Sequence, residues 1–202
     1  LSGIWLKNLK YRCDKMYKKR VIFVTDGDMV AMRAVEIATA NIGGRCISAS
    51  AGNPTTLTAE EIVEMIKKAE HDPVVVMVDD RGYKGKGKGE TAMEAVMNND
   101  YIETLGVLAV SSKGKDCGKF KVSCSVTREG KIIEGTVDKD GKETHTGLVC
   151  GDTLSILREH DDMVIVGIGD PGKMDFNDEI EKGAPITTKA LNEVLKRSAA
   201  RH

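Results

Sequence analysis

"PVVVMVDD", residues 73–80, is an unbroken apolar run closed by two aspartates. A strand with one face in water alternates apolar and polar side chains. A run with no polar position instead fits a strand covered by helices on both faces of a parallel sheet. "VIFVTDGD", residues 21–28, repeats the pattern, with four apolar residues and Thr25 before Asp26-Gly27-Asp28. Two strands of this kind, separated by helical segments, point to an α/β architecture.

Working outward from them, Val30, Ala34, Ile37, Ala38 and Ile42 recur at helical spacing between about Met29 and Ile42, and Gly43-Gly44 supply a stop. "RCISAS" (45–50) reads as a second strand. "AGNPTTLT" (51–58) reads as a loop, because Gly52 and Pro54 interrupt regular structure. Thr58 and Glu61 form a capping-box pattern that opens the helix "AEEIVEMIKKAE" (59–70). Beyond "PVVVMVDD" lie a glycine-rich loop, a helix over about Glu90 to Met97, and a fourth strand, "TLGVLAVSS" (104–112). A short helix near 152–160, the strand "MVIVGIG" (163–169) and a final helix near 185–199 complete the alternation.

One region has different grammar. In "FKVSCSVT" (120–127), Phe120, Val122, Cys124 and Val126 alternate with polar residues, as in an antiparallel strand. The turn signals "REGK" (128–131) and "DKDGK" (138–142) bound "IIEGTV" (132–137). The expected fold is therefore a three-layer α/β structure with an open, mainly parallel five-stranded sheet, flavodoxin- or Rossmann-like, in strand order 2-1-3-4-5. Residues 19–202 read as one domain with a β-meander insertion at about 115–148, and residues 1–18 as an extension or arm, with Met16 a candidate start.

Composition narrows the function classes. Thirty basic residues against 31 acidic ones leave a net charge of −1, so no global field draws the chain to nucleic acid or an anionic membrane. Aromatic residues make up 4%, too few for a base-stacking platform, and no nucleic-acid partner is expected. No apolar run reaches the ~18–20 residues of a membrane span, and the amino end lacks the apolar stretch of a signal peptide. Cys13, Cys46, Cys117, Cys124 and Cys150 form no CxxC pair, and His71, His145, His160 and His202 share no ligand spacing. The cysteines read as reduced packing residues.

Ligands of open α/β sheets bind beyond the carboxyl ends of the strands, where strand order reverses. Asp26 and Asp28 end the first strand, Asp79, Asp80 and Arg81 the third, and Gly169-Asp170-Pro171-Gly172-Lys173 the last. In the expected order the first and third loops flank one crevice. Convergent carboxylates there suit a hard cation such as calcium or magnesium, with Asp26, Asp79 and Asp80 as the candidate metal set. Paired carboxylates also suit acid–base work. Against this, Asp28 reads first as the cap of the helix starting at Met29, and Asp79 or Asp80 as a partner of Arg81 or a lysine. The loop "RGYKGKGKGE" (81–90) interleaves glycine with Lys84, Lys86 and Lys88. It lacks the register of a P-loop and reads either as a solvated tip or as an anion-binding lid. Thr187 and Thr188, also ligand candidates, are explained most simply as caps of the last helix. No nucleophile elbow or Cys/His dyad is present, and no catalytic residue is assigned.

Taken together, "VIFVTDGD", "GGRCIS", "SAGNPT", "EEIVEMIKKA", "DPVVVMVDD", "GDT", "VGIGDPGKM" and "APITTKAL" resemble the stage V sporulation protein AE family, in order over about residues 18–195. The extension before Met16 and the lysines at 84–88 depart from that pattern. The resemblance implies a non-enzymatic accessory protein of the spore SpoVA system, whose membrane members move calcium dipicolinate into the developing spore and release it at germination. It implies other SpoVA proteins as partners and a soluble protein held peripherally at the spore inner membrane. Two alternatives stay open: a sensor in which the aspartates take calcium and the lysines take dipicolinate carboxylates, and a magnesium-dependent phosphoryl-transfer enzyme on the same carboxylates.

Overall fold

A computed structural model describes residues 17–81, 86–112, 117–118, 121–144, 149–150, 156–157, 160 and 162–201. Its strands are β1 (Lys19–Val24), β2 (Arg45–Ile47), β3 (Val74–Met77), β4 (Ile102–Val110), β5 (Cys117–Gly118), β6 (Cys124–Val126), β7 (Ile132–Ile133), β8 (Thr136–Val137), β9 (Glu143–Thr144), β10 (Val149–Cys150) and β11 (Ile165–Ile168). Four α-helices accompany them: α1 (Met29–Asn41), α2 (Ala59–Lys68), α3 (Lys88–Met97) and α4 (Pro185–Ala199). The α/β class and the mainly parallel sheet are as the sequence suggests.

Seven strands, not five, make the main sheet, in the order β2-β3-β1-β4-β11-β6-β7. Only β7 runs antiparallel to its neighbour. The expected order 2-1-3-4-5 is wrong at the first crossover. The chain leaves β1 through α1, skips a position to lay down β2, and returns through α2 so that β3 fills the gap beside β1. The side chains explain the placement: β3 is buried at all four positions and needs cover on both sides, whereas three-residue β2 exposes Arg45 and tolerates an edge.

Alternate residues of the strands feed two cores. Ile22, Val24, Val75, Met77 and Leu108 pack under α1 and α4, with Ala34, Val35, Leu191 and Val194 closing the layer. Val21, Phe23, Val74, Val76 and Val107 face α2 and α3, against Ile62, Ile66, Met93 and Val96. This is the period-2 alternation of a strand with both faces covered.

The expected meander divides. Residues of "FKVSCSVT" supply β6, which pairs parallel to β11, and "IIEGTV" splits into β7 on the main sheet and β8, which pairs with β9. β5 and β10 form a second two-stranded sheet. Phe120, and all of the expected 152–160 helix except residues 156–157 and 160, lie outside the described residues.

Candidate functional site

The tips of β1 and β3 meet because the strands are hydrogen-bonded neighbours in parallel register, Val24 beside Met77. The corrected strand order therefore keeps the first and third loops together. Gly27 sits where they touch. A Cβ there would lie 2.2 Å from the carbonyl oxygen of Gly52 and 2.9 Å from Cβ of Asp79, so the absence of a side chain lets three loops close on one another.

The aspartates around this point divide by task. Asp28 caps α1, its Oδ1 accepting the amides of Val30 and Ala31 at 2.8 Å each, while Oδ2 receives Lys173 Nζ at 2.7 Å. Burial raises the Asp28 carboxyl, but the Lys173 hydrogen bond and the two amides outweigh it, and the net shift is downward. Lys173 also lies 3.8 Å from Asp170 and so bridges the β1 and β11 loops. Burial pushes the Asp170 carboxyl up against the pull of Lys173 and Lys139. The Lys173 ammonium loses stability by burial and more than regains it from Asp28, so its net shift is upward.

Asp26 accepts the Asp28 amide at 3.0 Å, an Asx turn. Burial, aided by the negative charges of Asp28 and Asp79, pushes its carboxyl up to about 6. Asp79 accepts the Arg81 amide at 2.7 Å, and its own backbone is clamped by Thr55, which donates and accepts at 2.9 Å. The structure thus brings Asp26 and Asp79 together. Asp80, 3% exposed, turns away: Oδ1 accepts the amide of Gly89 at 2.6 Å and Oδ2 that of Glu90 at 3.1 Å, which seats the first turn of α3 on the end of β3. Burial raises the Asp80 carboxyl more than these amides lower it. A Cβ on Gly89 would fall 2.7–2.9 Å from the Asp79 backbone, so this glycine of the lysine-rich stretch serves helix docking.

Lys86 is ion-paired with Glu94, and Lys88 is the exposed first residue of α3. Arg81 is exposed in the left-handed region, φ 52°. Lys84 lies outside the described residues.

The threonines of α4 do not cap it. The N-cap position is Ala184, without a side-chain bond. Asp178, 0% exposed, does the work from seven residues upstream of Pro185: Oδ1 accepts the amides of Ile186 (2.7 Å) and Thr187 (2.9 Å), and Oδ2 accepts the Thr187 hydroxyl (2.6 Å) and the Gly172 amide (2.8 Å). The Thr188 hydroxyl donates to the Ala184 carbonyl and accepts from Asn41 at the end of α1. Nothing in the local pattern of "FNDEIEKGAP" marks Asp178 as a cap, because its targets lie across a turn. Among the described residues no group of three or more His, Cys, Asp or Glu side chains is placed to hold a metal ion, and no helix is long and apolar enough to cross a membrane.

A family model described as Stage V sporulation protein AE1 matches residues 20–198. The chain belongs to the stage V sporulation protein AE family. Its matched range opens in β1 and closes in the last turn of α4, so it takes in the carboxylates, the Lys173 bridge and Asp178 alike. Membership in this family carries a role in the sporulation SpoVA system. No curated protein and no solved structure matches the chain significantly.

Proposed function

We propose that this chain is a non-enzymatic accessory component of the SpoVA system, which supports calcium dipicolinate movement and germination by docking on partner SpoVA proteins at the spore inner membrane. The observation that carries this reading is how the carboxyl end of the sheet is used. There Asp28, Asp80 and Asp178 hold the starts of three helices, while Asp26 and Asp79, which accept the amides of Asp28 and Arg81, lie within reach of each other's charge. Around the same end, apolar side chains are exposed: Met29 is 62% exposed, Phe176 is 71% exposed, and Val30 of α1, which borders Gly172 of the β11 loop, is 40% exposed. Scattered exposed apolar residues are ordinary, but three at the end of one sheet suit a docking face.

Co-expression of the full chain with the membrane SpoVA proteins, followed by affinity capture, tests the reading. A defined complex that is lost in Phe176→Glu is the expected result; no complex with any SpoVA protein would count against it. Turnover of a phosphomonoester with magnesium or manganese, abolished by Asp26→Asn, would replace it with the phosphoryl-transfer alternative.

A further inference from the structure

The face that carries α2 and α3 has a groove along both helices. A cavity of about 730 Å³ lies between their amino ends, walled by Leu57, Ala92 and Ala95. A second, of about 230 Å³, continues toward their carboxyl ends past Val63, Lys67 and Asn99. Ala59, Glu60 and Ala95 line both, so the two form one channel. Alanines on both walls leave room for another helix to approach closely. Lys67 and Lys86 on the rims are answered by Glu64 and Glu94, whereas Glu60 on α2 forms no ion pair among the described residues.

The chain itself supplies an occupant, because its point of departure is fixed. The described residues open at Tyr17. Two residues on, the Lys19 ammonium donates to the Ala69 carbonyl at the end of α2 (2.7 Å), and the Lys19 amide donates to the Tyr101 carbonyl (2.9 Å). The Tyr101 ring lies 4.5 Å from Lys67 Nζ. Residues 1–16 therefore depart from the carboxyl end of the groove. In their sequence Trp5, Leu6, Leu9, Cys13 and Met16 fall on one side at helical spacing, and Lys7, Lys10, Arg12 and Lys15 outnumber Asp14. From Met16 back to Trp5 is about 16 Å of helix, against about 15 Å for each wall of the groove. With Met16 level with Lys67, Lys10 stands beside Glu60, Leu9 comes level with Ala92, and uncharged Trp5 and Leu6 reach Leu57 and Lys88.

We propose that this groove is the seat of the chain's own amino-terminal segment, which lies along it as an amphipathic helix with Trp5 and Leu9 inward and Lys10 beside Glu60. The groove is separate from the docking face of Met29 and Phe176, and either assignment stands if the other falls.

Trp5 is the single tryptophan of the chain, so its fluorescence reports the seat directly. In the full chain its emission is expected to lie to the blue of that of a synthetic peptide of residues 1–16, with an acrylamide quenching constant at least about threefold lower. Ala95→Arg puts a good helix former at an exposed helical site, so the fold is retained. The long cation fills the groove and is expected to return Trp5 to the emission and quenching of the peptide, with the far-ultraviolet circular dichroism unchanged. Glu60→Lys should raise quenching about twofold, and Lys10→Glu in the same chain should restore it. A full chain whose Trp5 is quenched as freely as the peptide overturns the proposal, as does shielding indifferent to Ala95→Arg. A Glu60→Lys effect that Lys10→Glu deepens overturns the placement of Lys10. Shielding lost on about hundredfold dilution assigns the contact to a second copy and overturns the intramolecular seat.

Discussion

Replacing Asp178 by alanine is the perturbation to which the architecture is most exposed. The carboxylate is fully buried and accepts four hydrogen bonds at 2.6–2.9 Å, three from backbone amides and one from the Thr187 hydroxyl. Loss of a helix cap alone costs about 0.5–2 kcal/mol. A hydrogen bond to a charged acceptor is worth about 1.5–3 kcal/mol, and stripping the acceptor leaves buried donors unpaired. The four bonds share one acceptor and do not add, so the expected cost is about 4 kcal/mol, at the edge of what single substitutions do. For a chain of this length that corresponds to a fall in Tm of about 8–16 °C. Asp178→Asn keeps one oxygen for Ile186 and Thr187 but turns an NH₂ toward the Gly172 amide, and should lose about half as much. Thr187→Val removes a single partner and should cost about 1 kcal/mol. Urea unfolding followed by far-ultraviolet circular dichroism gives all three, with an unchanged m-value as the sign of unaltered compactness. A loss below about 1 kcal/mol for the alanine variant, or an asparagine variant as unstable as alanine, would refute the assignment of Asp178 as the anchor of α4.

Three further outcomes follow from the β1–β3 tip and the Lys173 bridge. Gly27→Ala drives a methyl into the Gly52 carbonyl at 2.2 Å; a loss of about 2–3 kcal/mol in urea unfolding is expected, as for overpacking. The Asp26 carboxyl titrates near about 6 in the folded chain against an ordinary 3.8, so between those values the native state binds a proton that the unfolded chain has released. Its contribution to stability is full below about pH 4 and declines as pH rises to about 6, so Asp26→Asn should match the parent at pH 4 and exceed it at pH 7 in paired denaturation curves. A double-mutant cycle of Asp28→Ala and Lys173→Ala should give a coupling under about 1 kcal/mol, because both side chains are partly in water, with most of the Asp28 loss coming from its cap.

Much of the fold is legible where a pattern is local. The α4 span, the Thr58–Glu61 capping box and the Asp28 cap are each written within a few residues of the structure they specify. Strand order is not local: whether β2 or β3 lies beside β1 depends on relative burial, and the clue was the contrast between an all-apolar "VVVM" and a short strand headed by Arg45. The candidate site divides in the same way. Asp26 and Asp79 converge because their strands pair, a fact that follows from topology. Asp80 could not be separated from Asp79 by spacing, since its role depends on α3 folding back onto it. Asp178 carries no local signature of a cap, because it acts through a turn on amides eight and nine residues away.

The loop that carries Phe176 has one more property. Met174, Asp175 and Phe176 all adopt left-handed backbone angles, φ 47°, 55° and 65°, unusual for three consecutive residues with side chains. The turn is pinned from several directions: Met174 is buried, Arg128 grips Asp175 at 2.9 Å, Asn177 donates to the carbonyls of Met174 and Asp175, and Lys182 donates to that of Phe176. Phe176 therefore stands on a frame whose conformational cost is met during folding, and a surface that covers it need not freeze a mobile chain. Such a residue works as a rigid gauge: it rewards a partner whose pocket already matches its position and gives little to one that would have to be accommodated.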